Sequence, residues 1–126
     1  MLSSVWKMAT TPVRKTYFML MVVDMSRALR FYTDGFGASV SFSSPHWSEL
    51  TVAGATLALH SGGDGSEKST GLGFEVDDLD AALQQATSVG GRITSPARDR
   101  PAERIRLAEL ADTEGNVLSV AEVPAG

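Results

Sequence analysis

Residues 22–38 read VVDMSRALRFYTDGFGA, and the opening of that stretch returns 54 positions later, where Asp24-Met25-Ser26-Arg27-Ala28-Leu29 aligns with Asp78-Leu79-Asp80-Ala81-Ala82-Leu83. The same offset pairs Val22 with Val76, Tyr32 with Ala86 and Gly37 with Gly91. Further along, Gly54-Ala55-Thr56-Leu57-Ala58-Leu59 aligns with Gly115-Asn116-Val117-Leu118-Ser119-Val120 at an offset of 61. Self-similarity at this spacing marks two copies of one supersecondary unit. The seven extra residues of the second copy fall in the polar stretch around Ala97 to Glu103, where a longer loop costs little entropy. Between the copies, the composition of Ser61 to Ser69 (SGGDGSEKS) is that of a flexible linker.

Each copy predicts a strand, a helix and three further strands. Asp24 or Ser26 caps the first helix, whose apolar stripe Met25, Ala28, Leu29, Tyr32 and Phe36 ends at Gly37. Asp77 or Asp78 caps the second, whose stripe Leu79, Ala82, Leu83, Ala86 and Val89 ends at Gly90-Gly91. Strands are expected over Ser39–Phe42, Trp47–Val52 and Thr56–His60, then over Arg92–Thr94, Glu103–Leu110 and Val117–Glu122. The Asp112-Thr113-Glu114-Gly115-Asn116 run reads as a hairpin turn. The organisation is therefore a tail (1–14), a first βαβββ module (15–60), a linker (61–70) and a second βαβββ module (71–123). Neither module alone buries both faces of its sheet, so the two form one α+β domain.

Composition narrows the chemistry. At 126 residues the chain buries enough surface to fold without staples, and it contains no cysteine, which excludes thiol catalysis, disulfides and thiolate metal sites. The net charge of −4 argues against a nucleic-acid partner. No apolar run reaches the ~18 residues of a membrane span, and residues 1–15 lack a secretory pattern; a cytoplasmic protein is expected. Nucleophile-elbow and phosphate-loop motifs are absent, and the GLGFEV of residues 71–76 is a strand start.

The two copies, VVDMSRALRFYTDGFGA with its Phe-Tyr-x-x-x-Phe-Gly close and GLGFEVDDLDAAL (71–83) followed by LADTEGNVLSVAE (110–122), resemble the vicinal oxygen chelate superfamily of glyoxalases, bleomycin-resistance proteins and ring-cleaving dioxygenases. The resemblance covers Lys15 to Val123 and implies the glyoxalase/bleomycin-resistance fold, in which two βαβββ modules curl a mixed sheet around a cavity. It also implies where a metal would be held: at Tyr17 and Ala58 in the first module and Gly71 and Ser119 in the second. Family ligands there are His, Gln or Glu, and these four residues supply no such set. The resemblance is closest in kind to the metal-free bleomycin-resistance branch, whose homodimers sequester flat or extended antibiotics in grooves at their interface. It thus implies no cofactor.

Strand alternation gives the cavity lining. With Phe18, Leu20 and Val22 toward the helix, Tyr17, Met19 and Met21 face the cavity. By the same parity so do Trp47, Glu49 and Thr51, then Thr56, Ala58 and His60, and Gly71, Gly73 and Glu75. The predicted ligand-binding set is Tyr17, Met19, Met21, Trp47, Glu49, Ala58, His60, Glu75 and Ser119: largely apolar and aromatic, with a few polar tips. On the strand from Glu103 to Leu110, Arg104 and Arg106 are read as facing the groove. Met19 and Met21 are equally suited to core filling, Trp47 to a dimer contact, and His60 and Glu75 to solvated strand ends.

Two function classes follow. One is a metal-independent homodimer that binds a small molecule, sequestering an aromatic natural product or antibiotic. The other is a lyase, isomerase or dioxygenase, with His60 and Glu75 as the acid–base pair.

Overall fold

The computed structural model describes residues 10–124, so most of the amino-terminal tail, including Val5-Trp6, lies outside the described residues. Ten elements follow in order: β1 (Phe18–Val22), α1 (Met25–Phe36), β2 (Ser39–Phe42), β3 (Trp47–Val52), β4 (Ala55–Ser61), β5 (Lys68–Val76), α2 (Leu79–Ser88), β6 (Arg92–Arg100), β7 (Ile105–Ala111) and β8 (Asn116–Glu122). They form two four-stranded mixed sheets of identical topology, β1-β4-β3-β2 and β5-β8-β7-β6. In each sheet the first strand pairs in parallel with the last, and the other neighbours are antiparallel. This is the twofold βαβββ organisation of an α+β fold.

Both helices start on the expected carboxylate. Asp24 accepts the Arg27 N–H at 3.1 Å and Asp78 accepts the Ala81 N–H at 3.0 Å, satisfying donors that the first turn leaves unpaired. Gly37, at φ 71°, closes α1 in the left-handed conformation that only glycine adopts without a steric penalty. Ala28, Phe31, Tyr32, Leu79, Leu83 and Ala86 turn inward and join Leu20, Val22, Leu50, Leu57, Leu59, Leu110, Leu118 and Val120 in one continuous core. Each large side chain there contributes roughly 1.5–3 kcal/mol of burial. The helices lie within that shared core, and Phe36 of α1 meets Phe74 of β5 ring to ring at 4.8 Å. One face of each sheet is thus committed to the helices, which leaves the opposite face for function.

A buried polar cluster fastens the second module to the first. Glu114, in the β7–β8 turn and 1% exposed, accepts the Val23 and Asp24 N–H groups at 2.9 and 2.8 Å. It also accepts the Arg27 guanidinium at 2.8 Å. Burial by itself would raise its pKa. The hydrogen bonds from Arg27, from the Thr113 hydroxyl and from the two backbone groups outweigh burial and hold the carboxyl down at about 2. Beside it the buried Tyr32 hydroxyl donates to Asp112 at 2.6 Å, and burial followed by that carboxylate pushes the phenol well above its ordinary pKa. Asn116 donates to the Met21 carbonyl at 2.9 Å. The turn's Gly115, at φ 91°, passes so close to residues 65 and 66 that a Cβ would lie 2.4 Å from the Ser66 carbonyl oxygen.

Three expectations are corrected. The extra residues of the second copy do not form a loop from Ala97: β6 runs on to Arg100, pairing Arg98 with Leu107 and Arg100 with Ile105, so the hairpin is longer and turns at 101–104. The stretch expected to be linker gives Ser61 to β4 and Lys68 to β5, and between them the Gly63 N–H donates to the Val22 carbonyl at 3.0 Å. Arg106 does not face the groove. Ala108 and Leu110 are buried in the core, so Arg106 shares their side of β7, where its guanidinium meets Asp80 of α2 at 3.5 Å and Asp99 at 3.3 Å. Leu107 and Glu109 take the other face.

Candidate functional site

The face of the first sheet turned away from α1 is built by strand register. Met19 lies beside Ala58 and Ala58 beside Glu49; in the next row Met21 lies beside His60 and His60 beside Trp47. Tyr17, just before β1, meets Trp47 edge to face with ring centroids 5.4 Å apart, and Trp47 meets His60 the same way at 5.9 Å. The first of these contacts runs diagonally across Ala58. That explains a run of three fully buried residues on β4: Leu57 and Leu59 point at the core, and Ala58, on the opposite face, is covered by aromatic rings. The wall is open toward solvent, with Tyr17 49% and Met19 47% exposed.

Glu49 is the fixed polar point on this wall. Its Oε2 accepts the Trp47 indole N–H at 2.9 Å, and its Oε1 receives the ammonium of Lys15. These two bonds, that of Lys15 first, hold its carboxyl below the usual pKa. His60 is exposed and directs Nδ1 at the Ser61 carbonyl oxygen, so Nδ1 carries the proton. The seven predicted residues of the first module, Tyr17, Met19, Met21, Trp47, Glu49, Ala58 and His60, therefore share one surface.

The two predicted residues of the second module lie elsewhere. Ser119 pairs with Gly73 on one side and Glu109 on the other, and lines a small polar cavity of about 240 Å³ with Ser69, Thr70 and Gly71. Glu75 is exposed at the mouth of a larger cavity, about 510 Å³, where the modules meet. That cavity is walled by Phe18, Phe36, Phe74, Val52 and Leu57. On β4 this cavity is lined by Ala55, Thr56 and Leu57, so His60 lies three residues beyond the nearest of them, and no hydrogen bond joins His60 to Glu75. Sequence reasoning misses this junction cavity, because strand alternation turns Phe18, and by the same parity Phe74, toward the helices as core. It misses Lys15 as well, since a lysine ahead of a strand carries no periodic signal.

The sequence profile of the glyoxalase/bleomycin resistance protein/dioxygenase superfamily matches residues 15–120. The chain belongs to this superfamily. No curated protein matches it. Among solved structures, it is similar to a glyoxalase/bleomycin resistance protein/dioxygenase family enzyme from Burkholderia phytofirmans PsJN (20% identity, 86% of this chain and 97% of that one, TM-score 0.73). It is similar to TioX from Micromonospora sp. ML1 (18% identity, 89% and 100% covered, TM-score 0.69). A third is the genomically encoded fosfomycin resistance protein FosX from Listeria monocytogenes, complexed with Mn(II) and sulfate (16% identity, 90% and 93% covered, TM-score 0.76). At these identities the likeness is one of fold.

The residues at the superfamily's metal positions do not suit a divalent ion. Ala58 has no donor atom and is sealed under rings. Gly71, at φ 80°, occupies a bulge in β5 where the register shifts between Ser69 and Gly73. Ser119 offers one neutral hydroxyl, and no cluster of three or more His, Asp or Glu side chains with metal-binding spacing occurs among the described residues. Nor does any helix among them have the length and apolarity to cross a membrane.

Proposed function

We propose that this chain is a metal-independent binding protein that sequesters an aromatic natural product or antibiotic, acting in the cytoplasm as a homodimer. The observation that carries the reading is the Tyr17–Trp47–His60 row of edge-to-face rings lying over Ala58, with Met19 and Met21 beside it. Aromatic walls offer large, rigid contact area, and methionine adapts to irregular guests. Sequestration asks for nothing more than such a surface and mass action. The likeness to a fosfomycin resistance protein supports a role against antibiotics, although that protein was complexed with Mn(II) and the residues here at Ala58, Gly71 and Ser119 do not supply such donors.

The test is calorimetric titration of the purified chain with polycyclic aromatic natural products, before and after chelation, together with elemental analysis. Binding unaffected by chelator, in a protein without stoichiometric metal, is the expected result. About one tightly held divalent ion per chain, removable only with loss of function, would overturn the reading.

A further inference from the structure

Glu49 is the one carboxylate on the aromatic face among the described residues, and an unusually well-held one: 18% of its side chain is exposed although the face is open. The Trp47 indole N–H fixes one oxygen and leaves the other open to a second donor on this face. What it meets there is an ammonium of the same chain. Lys15 belongs to no strand or helix, residues 10–17 are all exposed, and its own side chain is 54% exposed. Among the described residues, Glu49 is its one ion-pair partner. A carboxylate held beside aromatic rings is an arrangement that recognises alkylammonium groups, by charge-assisted hydrogen bonds together with attraction to the ring faces.

We propose that the ligand of this face carries a protonated amine, and that its ammonium takes the place of Lys15 on Glu49. This rests on the aromatic-binding reading given above and names its ligand class. Lys15 is a tethered stand-in. It neutralises Glu49 while the face is empty, and returns to water at little cost because more than half of it is already there. A ligand with both an aromatic body and an ammonium gains the rings and the carboxylate together. A neutral one gains only the rings, and an anionic one meets Glu49 head on.

Three probes of one shape separate these cases: 2-(2-naphthyl)ethylamine, 2-(2-naphthyl)ethanol and 2-naphthylacetate, titrated into the full-length protein by calorimetry and followed at the Trp47 indole N–H by NMR. The amine should bind about tenfold more tightly than the alcohol, and the acid more weakly than either. Lys15→Met, which removes the competing ammonium and keeps the methylene stem, should raise the preference for amine over alcohol by about a further tenfold. Glu49→Gln, which still accepts the indole N–H, should bring that preference close to one, and 0.5 M salt should shrink it in the wild type. If the alcohol binds as tightly as the amine, or Lys15→Met weakens the amine, the charge inference falls and the aromatic reading stands. If none of the three shifts the Trp47 signal, the aromatic reading falls and the amine preference with it.

Discussion

Trp47 does three things at once: it covers Ala58, contacts both Tyr17 and His60, and orients Glu49 through its indole N–H. Replacing it with alanine removes the stacking surface and frees a carboxylate oxygen. Trp47→Ala should therefore weaken binding of an aromatic ligand about tenfold or more, since ring contacts contribute roughly 0.5–1.5 kcal/mol beyond the area they bury. His60→Ala, which loses one edge contact at the exposed end of the row, should cost a few-fold. The two are measured side by side by calorimetry, with quenching of indole emission as the second readout. Trp6→Phe is the control, and should retain the quench if Trp47 carries it. If Trp47→Ala binds normally while His60→Ala abolishes conversion of the ligand to a product, the face is catalytic. Alternation along β1, β3 and β4 was enough to put these side chains on one surface, because those strands pair without interruption and period two holds along their length. Lys15 was not legible, because nothing in its neighbours' sequence says that the chain folds back toward Glu49.

At the scale of elements, the decisive contact is Glu114 on the amino-terminal end of α1. Its side chain supplies acceptors that Val23, Asp24 and Arg27 require, and it reaches them from the other module. Breaking a fully buried pair by removing one partner typically costs about 3–5 kcal/mol; here Glu114 is sealed but 43% of the Arg27 side chain is in water, so Glu114→Gln should cost less than that in urea unfolding. The pH dependence follows from linkage. The folded carboxyl sits at about 2 against 4.5 for an ordinary one, so its contribution is full above pH 4.5 and is lost as the pH falls toward 2. The difference corresponds to about 3 kcal/mol, to be read as a falling unfolding midpoint over that range. Glu114→Gln should flatten that part of the profile; an unchanged acid limb would show that another group governs it. The helices and most strands were legible because caps, stripes and alternation all agreed. The role of Asp112–Asn116 was not: DTEGN has turn composition, and turns are ordinarily solvated, so only the packed structure reveals that this one is buried against α1. The side taken by Arg106 is hidden from alternation for a related reason. Ile105 and Leu107 compete with Ala108 and Leu110 for the core, and β6 shifts register twice opposite them, so alternation alone does not choose a face.

At the scale of the whole molecule, each sheet has two unpaired edges: β1 and β2 in the first, β5 and β6 in the second. β6 is guarded by Arg92, Arg98 and Arg100, as exposed edges usually are, but β1 and β2 present Met19 and Phe42 at 47% and 54% exposure. An open apolar face bordered by unguarded strands is poorly suited to a lone chain in water, and a second copy would cover it with twofold symmetry. Light scattering at micromolar concentration should accordingly give twice the chain mass. Phe42→Asp tests the same idea at one point. The residue lies on an edge strand and contributes nothing to the core, so the substitution should leave thermal stability of the monomer within about 0.5 kcal/mol. Desolvating the new carboxylate should nevertheless weaken association by at least tenfold. If the ligand groove is completed by the partner, affinity for an aromatic amine should fall with the dimer and become dependent on protein concentration. A wild-type chain that runs as a monomer and binds its ligand equally well at all concentrations would place the whole site on the first module's own wall.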